Sequence, residues 1–282
     1  MNHYLKLVHM EIHRFRYILA GMMGFTAIVQ LAVLAMSVAG EVSRREQAAL
    51  RGETVTNGSA FFPGDKMSFA KAIFDTPIWF TVPIALCMAV LGLYALLIWY
   101  RDWLGRDTFI YRLLMLPSAR GTLYLSKLTA LLVFICSMLA FQIVLLVVEK
   151  AMFNLMVPSD MRTGSSFADA VEANGLLNYL VLPVDVPIFL TNYGVGIVVV
   201  LALFTAVLLE RSYRLPGIVY GLLYLAACLA AIVVTPLLLG IEDAGGYFYP
   251  EEIYAAELAV IGLVALVSVW LGFRLLARKV TV

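Results

Sequence analysis

Six stretches of the chain, at about 17–39, 78–99, 123–148, 186–209, 216–239 and 255–277, are almost unbroken apolar sequence. Each reaches the roughly 20 residues that a helix rising about 1.5 Å per residue needs to cross the hydrocarbon of a bilayer. The rest of the composition agrees: 62% of the 282 residues are hydrophobic and 14% charged, with a mean hydropathy of +0.92. A soluble domain is nearer half apolar and a quarter charged. The sequence therefore predicts an all-α integral membrane protein, a single transmembrane domain over 1–282 with six spans. The first run is too long for the core of a cleaved signal peptide, although Ser37-Val38-Ala39 has the small residues of a cleavage site, so it reads as a retained span.

Six spans put both termini on one side, and the basic residues choose which. With the N-terminus inside, the inner segments hold Lys6, Arg14, Arg16, Arg101, Arg106, Arg112, Arg120, Lys127, Arg211, Arg214, Arg274, Arg278 and Lys279. The inner acidic residues are only Glu11, Asp102, Asp107 and Glu210. The last outer loop, 240–254, has Glu242, Asp243, Glu251 and Glu252 and no Lys or Arg. The first outer loop carries Arg44, Arg45, Arg51, Lys66 and Lys71, but long loops translocate with less regard to charge. The expected topology is N-in and C-in, multi-pass, in a cell (inner or plasma) membrane with lipid as its surroundings. A net charge of +1 gives no argument for nucleic acid.

Residues 3–16 place Leu5, Val8, Ile12 and Phe15 at helical spacing among His3, Lys6, His9, His13, Arg14 and Arg16, which predicts an amphipathic helix on the membrane surface before the chain turns in. The outer segments, about 40–77 and 149–185, are polar and too small to be enzymes. Within the second, 166–180 predicts a surface helix with Phe167, Val171, Leu176, Leu177 and Leu180 on its apolar side. Asn57-Gly58-Ser59 matches a glycosylation acceptor but reads better as a turn.

The expected spans contain no ionisable side chain in their middles, which counts against an ion-coupled carrier. Gln30 and Gln142 are candidates to line a path, although such residues more often hydrogen-bond between helices. Gly217 with Gly221, and Gly21 with Gly24, permit close helix packing within the chain or across a dimer. Pro83 and Pro236 should kink the second and fifth spans. Cys87, Cys136 and Cys228 each fall in an apolar run and read as small buried hydrophobes. His9 and His13 lie one helical turn apart, with no third ligand apart from Glu11, which such a helix points elsewhere, so no metal site is expected. No cluster of catalytic side chains is evident, so the chain is not expected to be an enzyme. No Gly-x-x-x-x-Gly-Lys-Ser/Thr loop is present, so any ATP-driven work requires an ATPase on another polypeptide.

The segment 107–120 is the most organised of the inner loops. Asp107 is placed to cap a helix beginning at Thr108, and Pro117 ends it. Phe109, Ile110, Leu113 and Leu116 fall on one side, and Thr108, Tyr111, Arg112 and Met115 on the adjoining side. Such a helix lies along the membrane and presents Tyr111, Arg112 and Met115 to the cytoplasm. Ser118 is placed to cap the next helix, which carries Arg120 and Lys127.

The run Arg112-Leu113-Leu114-Met115-Leu116-Pro117-Ser118-Ala119-Arg120, followed by Tyr124-Leu125-Ser126-Lys127-Leu128, resembles the inner loop of type-2 ATP-binding-cassette transporter permeases. The six-span layout and the N-terminal amphipathic helix are also similar to that family. Two points depart from its pattern: Asp107-Thr108 stands where many members carry a Glu and a Gly-Thr pair, and Ser118-Ala119 replaces an apolar-Ser pair. The resemblance implies a bacterial permease subunit pairing with a second, identical or homologous, permease subunit and with two cytoplasmic ATPase subunits. Those partners would hold ATP and magnesium, and this chain would have no cofactor of its own. Asp107, Thr108, Tyr111, Arg112, Met115, Pro117 and Arg120 would form the coupling-helix contact with the ATPase. The implied activity is export of an amphipathic peptide antibiotic, drug or lipid-like molecule. Two alternatives remain: a carrier not driven by ATP, and a membrane sensor or scaffold that binds a cytoplasmic partner through the 107–120 loop.

Overall fold

The computed structural model describes residues 3–52, 66–103, 120–213, 215–238 and 249–278. Helices dominate them: α1 (His3–Leu50), α2 (Phe69–Phe74), α3 (Pro77–Trp103), α4 (Arg120–Met156), α5 (Phe167–Glu172), α6 (Val186–Tyr213), α7 (Leu215–Leu238) and α8 (Pro250–Arg278), with a π-helical turn at Leu177–Val181. Six of them, α1, α3, α4, α6, α7 and α8, are long and apolar enough to cross a membrane. A helix satisfies its own backbone, which is why an apolar run of this length becomes one in lipid.

Local chemistry sets several of the boundaries. Gly52, with φ +72, ends α1 in the left-handed conformation that glycine adopts without strain. The Ser68 hydroxyl accepts the Lys71 N–H at 3.1 Å to start α2. Ser166 and Asp169 form a reciprocal capping box on α5. Pro77 opens α3 and Pro250 opens α8, where a missing N–H costs nothing. Glu251 and Glu252 in the first turn of α8 complement its dipole.

Several expectations are revised. The surface helix over 3–16 and the first span are one uninterrupted helix of 48 residues, so the chain does not turn between them. The third apolar run continues as helix eight residues past its expected end at 148, to Met156. Its acidic residue Glu149 consequently belongs to a spanning helix rather than to an outer loop. The helix expected over 166–180 is instead α5 and the π-helical turn, separated by residues 173–176. The three cysteines are free thiols, with Cys87 and Cys228 buried but Cys136 exposed. The expected coupling helix at 107–116, together with Asp107, Thr108, Tyr111, Arg112, Met115 and Pro117, lies outside the described residues, as do residues 57–59.

The chain forms two compact units. The first takes residues 1–15, 90–133 and 187–282, and the second takes 16–89 and 134–186. Within the first, α7 packs on α6 and α8. Gly217 and Gly221 sit where a Cβ would come 2.4 Å from the Leu209 carbonyl oxygen and 3.1 Å from that of Ala206, so this glycine pair serves packing inside the chain. Thr205 donates to the Ser268 carbonyl at 3.1 Å, tying α6 to α8. Tyr224 Oη lies 2.6 Å from Ser268 Oγ, tying α7 to the same residue.

The second unit is built on an apolar cluster. Leu34 and Val38 of α1, Phe69 and Ile73 of α2, Phe80 and Ile84 of α3, Leu146 and Phe153 of α4, Val171 of α5 and Leu177 of the π-helical turn all belong to it. The described parts of the two segments read as polar outer loops thus close over apolar side chains. They are joined to each other by backbone bonds from Met67 N to Met161 O and from Thr163 N to Met67 O, both 2.8 Å. Together they make a cap on the cluster.

Candidate functional site

The most concentrated chemistry in the first unit is an ion chain on α1, α3 and α4. The sequence leads α1 in with a face of Tyr4, Leu7, Val8, Glu11 and Phe15, whose spacing of three and four residues stacks them on one side. Leu7, Val8, Glu11 and Phe15 are buried. This face is offset from the one expected through Leu5, Val8, Ile12 and Phe15, and Leu5 is exposed. The offset brings Glu11 inward.

Lys127, fully buried on α4, is the hub. Its ammonium donates to Glu11 Oε1 at 2.9 Å, to the Ile98 carbonyl at 2.9 Å, and to Asp102 Oδ2. Three donors meet three acceptors, so the ammonium is fully satisfied without water. The other oxygen of each carboxylate is also held. Arg101 donates to Glu11 Oε2 at 2.5 Å, and Arg14 donates to Asp102 Oδ1 at 3.3 Å. The order is Arg101, Glu11, Lys127, Asp102, Arg14, with cation and anion alternating. The Lys127, Glu11 and Asp102 side chains are 0%, 1% and 2% exposed, whereas those of Arg14 and Arg101 at the two ends are 32% and 37% exposed. The middle of the chain is dry and its two ends reach the surface.

Burying these groups singly would cost several kcal/mol each, so only mutual pairing makes the arrangement tenable. Aromatic packing encloses it. The Lys127 ammonium stands 5.4 Å from the Trp99 ring centroid. Trp99, Tyr124 and Phe204 make edge-to-face or tilted contacts at 5.7–6.3 Å. Phe15 packs on Tyr94 at 3.9 Å, and the Arg101 guanidinium lies 5.9 Å from the Tyr94 ring. Beside this, the Tyr100 hydroxyl donates to Glu210 at the end of α6, and the Arg211 guanidinium lies 5.0 Å from the Tyr100 ring. The last turn of α3 is therefore fastened to α1, α4 and α6 by charge.

The sequence-derived candidates are distributed unevenly. Of the loop residues, Arg120 is the first residue of α4. The segment joining α3 to α4 has both its attachments beside the ion chain: Asp102 lies one residue before the end of α3, and Lys127 two turns into α4. Gln30 and Gln142 are in the second unit, buried and bonded to each other, with Gln142 Nε2 donating to Gln30 Oε1 at 3.2 Å. Gln30 Nε2 in turn reaches the Phe80 carbonyl at 3.4 Å. In this conformation the pair ties α1, α3 and α4 together. His9 and His13 lie with ring centroids 6.2 Å apart, and no group of three or more metal-ligating side chains occurs among the described residues.

Sequence reasoning missed Glu11 and Asp102 as site residues and took Lys127 only as a residue of the helix that follows Ser118. The available signal was the 4, 8, 11, 15 spacing, which puts Glu11 on the apolar face of its helix.

Six long apolar helices make this a multi-span helical membrane protein. No protein-family model matches the chain, and no curated protein or solved structure matches it.

Proposed function

We propose that the chain is the membrane-spanning permease subunit of an ATP-driven exporter, working with a second permease subunit and with cytoplasmic ATPase subunits. The observation that carries this reading is the ion chain at the two attachments of the 104–119 segment. An ATPase pushing on that segment would load the end of α3 and the start of α4. Lys127 bonds to both Asp102 and Glu11, so the displaced ends would carry the start of α1 with them instead of slipping past it. Rigid transmission of this kind needs contacts that have discrete arrangements, and a satisfied buried ion chain has them.

The sequence supplies further support. The 107–128 region resembles the inner loop of type-2 ATP-binding-cassette permeases, and the chain has no phosphate-binding loop of its own. In this reading Asp107, Thr108, Tyr111, Arg112, Met115, Pro117 and Arg120 form the ATPase contact. The termini and the 104–119 segment are cytoplasmic, and the membrane is the inner or plasma membrane. The cargo is an amphipathic molecule such as a peptide antibiotic, a drug or a lipid.

The test is the double variant Arg112→Glu, Met115→Glu in the tagged full chain, purified from its native membranes. The wild type should carry an ATP-hydrolysing subunit through purification. The variant should insert normally and lose that subunit. A variant that keeps the ATPase and transports normally, or a wild type that purifies with no ATPase activity, overturns the proposal.

A further inference from the structure

The second unit contains an acid that none of this uses. Glu149 is 0% exposed, and neither carboxylate oxygen has a hydrogen-bond partner among the described residues. It sits on the face of α4 that carries Leu145, Leu146, Met152, Phe153 and Met156 at three, four and seven residues' distance. Leu146 and Phe153 belong to the apolar cluster under the cap, with Met152 and Met156 packed against it. The neighbouring cation does not help, because Lys150 is turned to the Ser165 carbonyl at 2.8 Å.

The charged groups on the surrounding elements have partners of their own or face outward, and Arg162 donates to the Asn154 carbonyl at 2.6 Å. On α1, Glu41 pairs with Arg44 and Arg45 at 2.7 and 2.8 Å. On α2, Lys71 pairs with Asp75 at 3.0 Å. On α5, Asp169 accepts the Ser166 N–H at 2.7 Å, and Glu172 is exposed. On α3 the titratable group within this unit, Cys87, lies 3.4 Å from Thr26 Oγ1. None of these bonds to Glu149.

An ionised carboxylate cannot be kept in such a place. Isolated in an apolar interior it costs far more than a domain's whole stability, whereas a carboxylic acid costs only an unmade hydrogen bond. A Leu would avoid even that cost, and ionisable residues inside spanning helices usually mark a function. We propose that Glu149 is a proton-binding site inside the third spanning helix, loaded while the cap is packed on the cluster and emptied when the cap lifts. On lifting, water reaches the acid, the O–H bond breaks with its electron pair left on the carboxylate, and the proton passes to water. Closure takes one proton back. The site lies in the second unit and does not depend on the exporter reading.

Infrared spectroscopy of the full chain in lipid nanodiscs at neutral pH tests this. The wild type should show the C=O stretch of a protonated carboxylic acid, which Glu149→Gln removes, Glu11→Gln leaves in place and Glu149→Asp retains at a shifted position. A second measurement reads the cap itself. Amide exchange in residues 167–172, corrected for its intrinsic pH dependence, should rise at alkaline pH in the wild type and stay flat in Glu149→Gln. The proposal is overturned if the wild type shows no acid band that Glu149→Gln removes, or if the cap opens with the same pH dependence in both proteins.

Discussion

The two units bury carboxyl groups by opposite means. In the first, Glu11 and Asp102 are dry, and every one of their four oxygens meets a cation. In the second, Glu149 is equally dry and has no partner among the described residues. The difference teaches that burial alone does not fix what an acid does. Glu11 and Asp102 are ionised groups that hold three helices together, and removing a partner strands a charge. Glu149 stabilises nothing by its charge, and its contribution is the proton it takes up.

The contrast predicts where the protein is most fragile. Lys127→Met should have the largest effect, because it leaves Glu11 and Asp102 facing each other with only the half-exposed Arg14 and Arg101. Removing one partner from a buried ion pair costs about 3–5 kcal/mol, read as a lowered unfolding midpoint of the purified chain in detergent. Adding Asp102→Asn should give back part of the loss, since it removes one of the stranded charges; strict additivity would mean that the groups do not act as a chain.

The glycines sharpen the comparison at the next level. Gly217→Ala in the first unit forces a Cβ against the backbone of α6 and should cost about 1–3 kcal/mol. Gly21→Ala in the second meets nothing within 4 Å and should be neutral or stabilising by up to about 1 kcal/mol through helix propensity. Equal losses at both sites would place Gly21 in a contact beyond this chain.

Much of the fold was legible in the sequence because the hydrophobic term acts on each apolar run by itself. Every one of the six runs became a spanning-length helix. The site was less legible because its bonds are long-range: Glu11 meets Lys127 across 116 positions and Arg101 across 90. A single helix read alone shows Glu11 as a surface charge. Glu149 was misplaced for a related reason. Hydropathy falls at Glu149-Lys150, but α4 continues because Phe153 has a cluster to enter and Met152 and Met156 pack against it. The outer segments looked like loops because α2 and α5 are only six residues each, and their apolar faces become meaningful only when paired.

The smallest expected effect is local to the cap. The Ser166 hydroxyl and N–H hold the Asp169 carboxyl below the usual carboxylate range. Its support for α5 is therefore full above the ordinary carboxylate pKa and is lost as pH falls through the lowered value. Asp169→Asn should abolish that acid sensitivity, seen as faster amide exchange in 167–172 at neutral pH and a weaker response to acid. An unchanged acid response would assign it to another group.

One paired measurement bears most directly on the contrast between the two units: the unfolding midpoints of Glu11→Gln and Glu149→Gln in the full chain, side by side in lipid nanodiscs at neutral pH. Glu11→Gln keeps one acceptor oxygen but loses the charge that Lys127 and Arg101 bond to, and should destabilise by about 1.5–3 kcal/mol in all. Glu149→Gln replaces an unpaired acid by a neutral group of the same shape and should leave the midpoint unchanged or raise it. The opposite order, with Glu149→Gln the more damaging, would contradict the account, because Glu149 would then be an ionised, partnered group like Glu11.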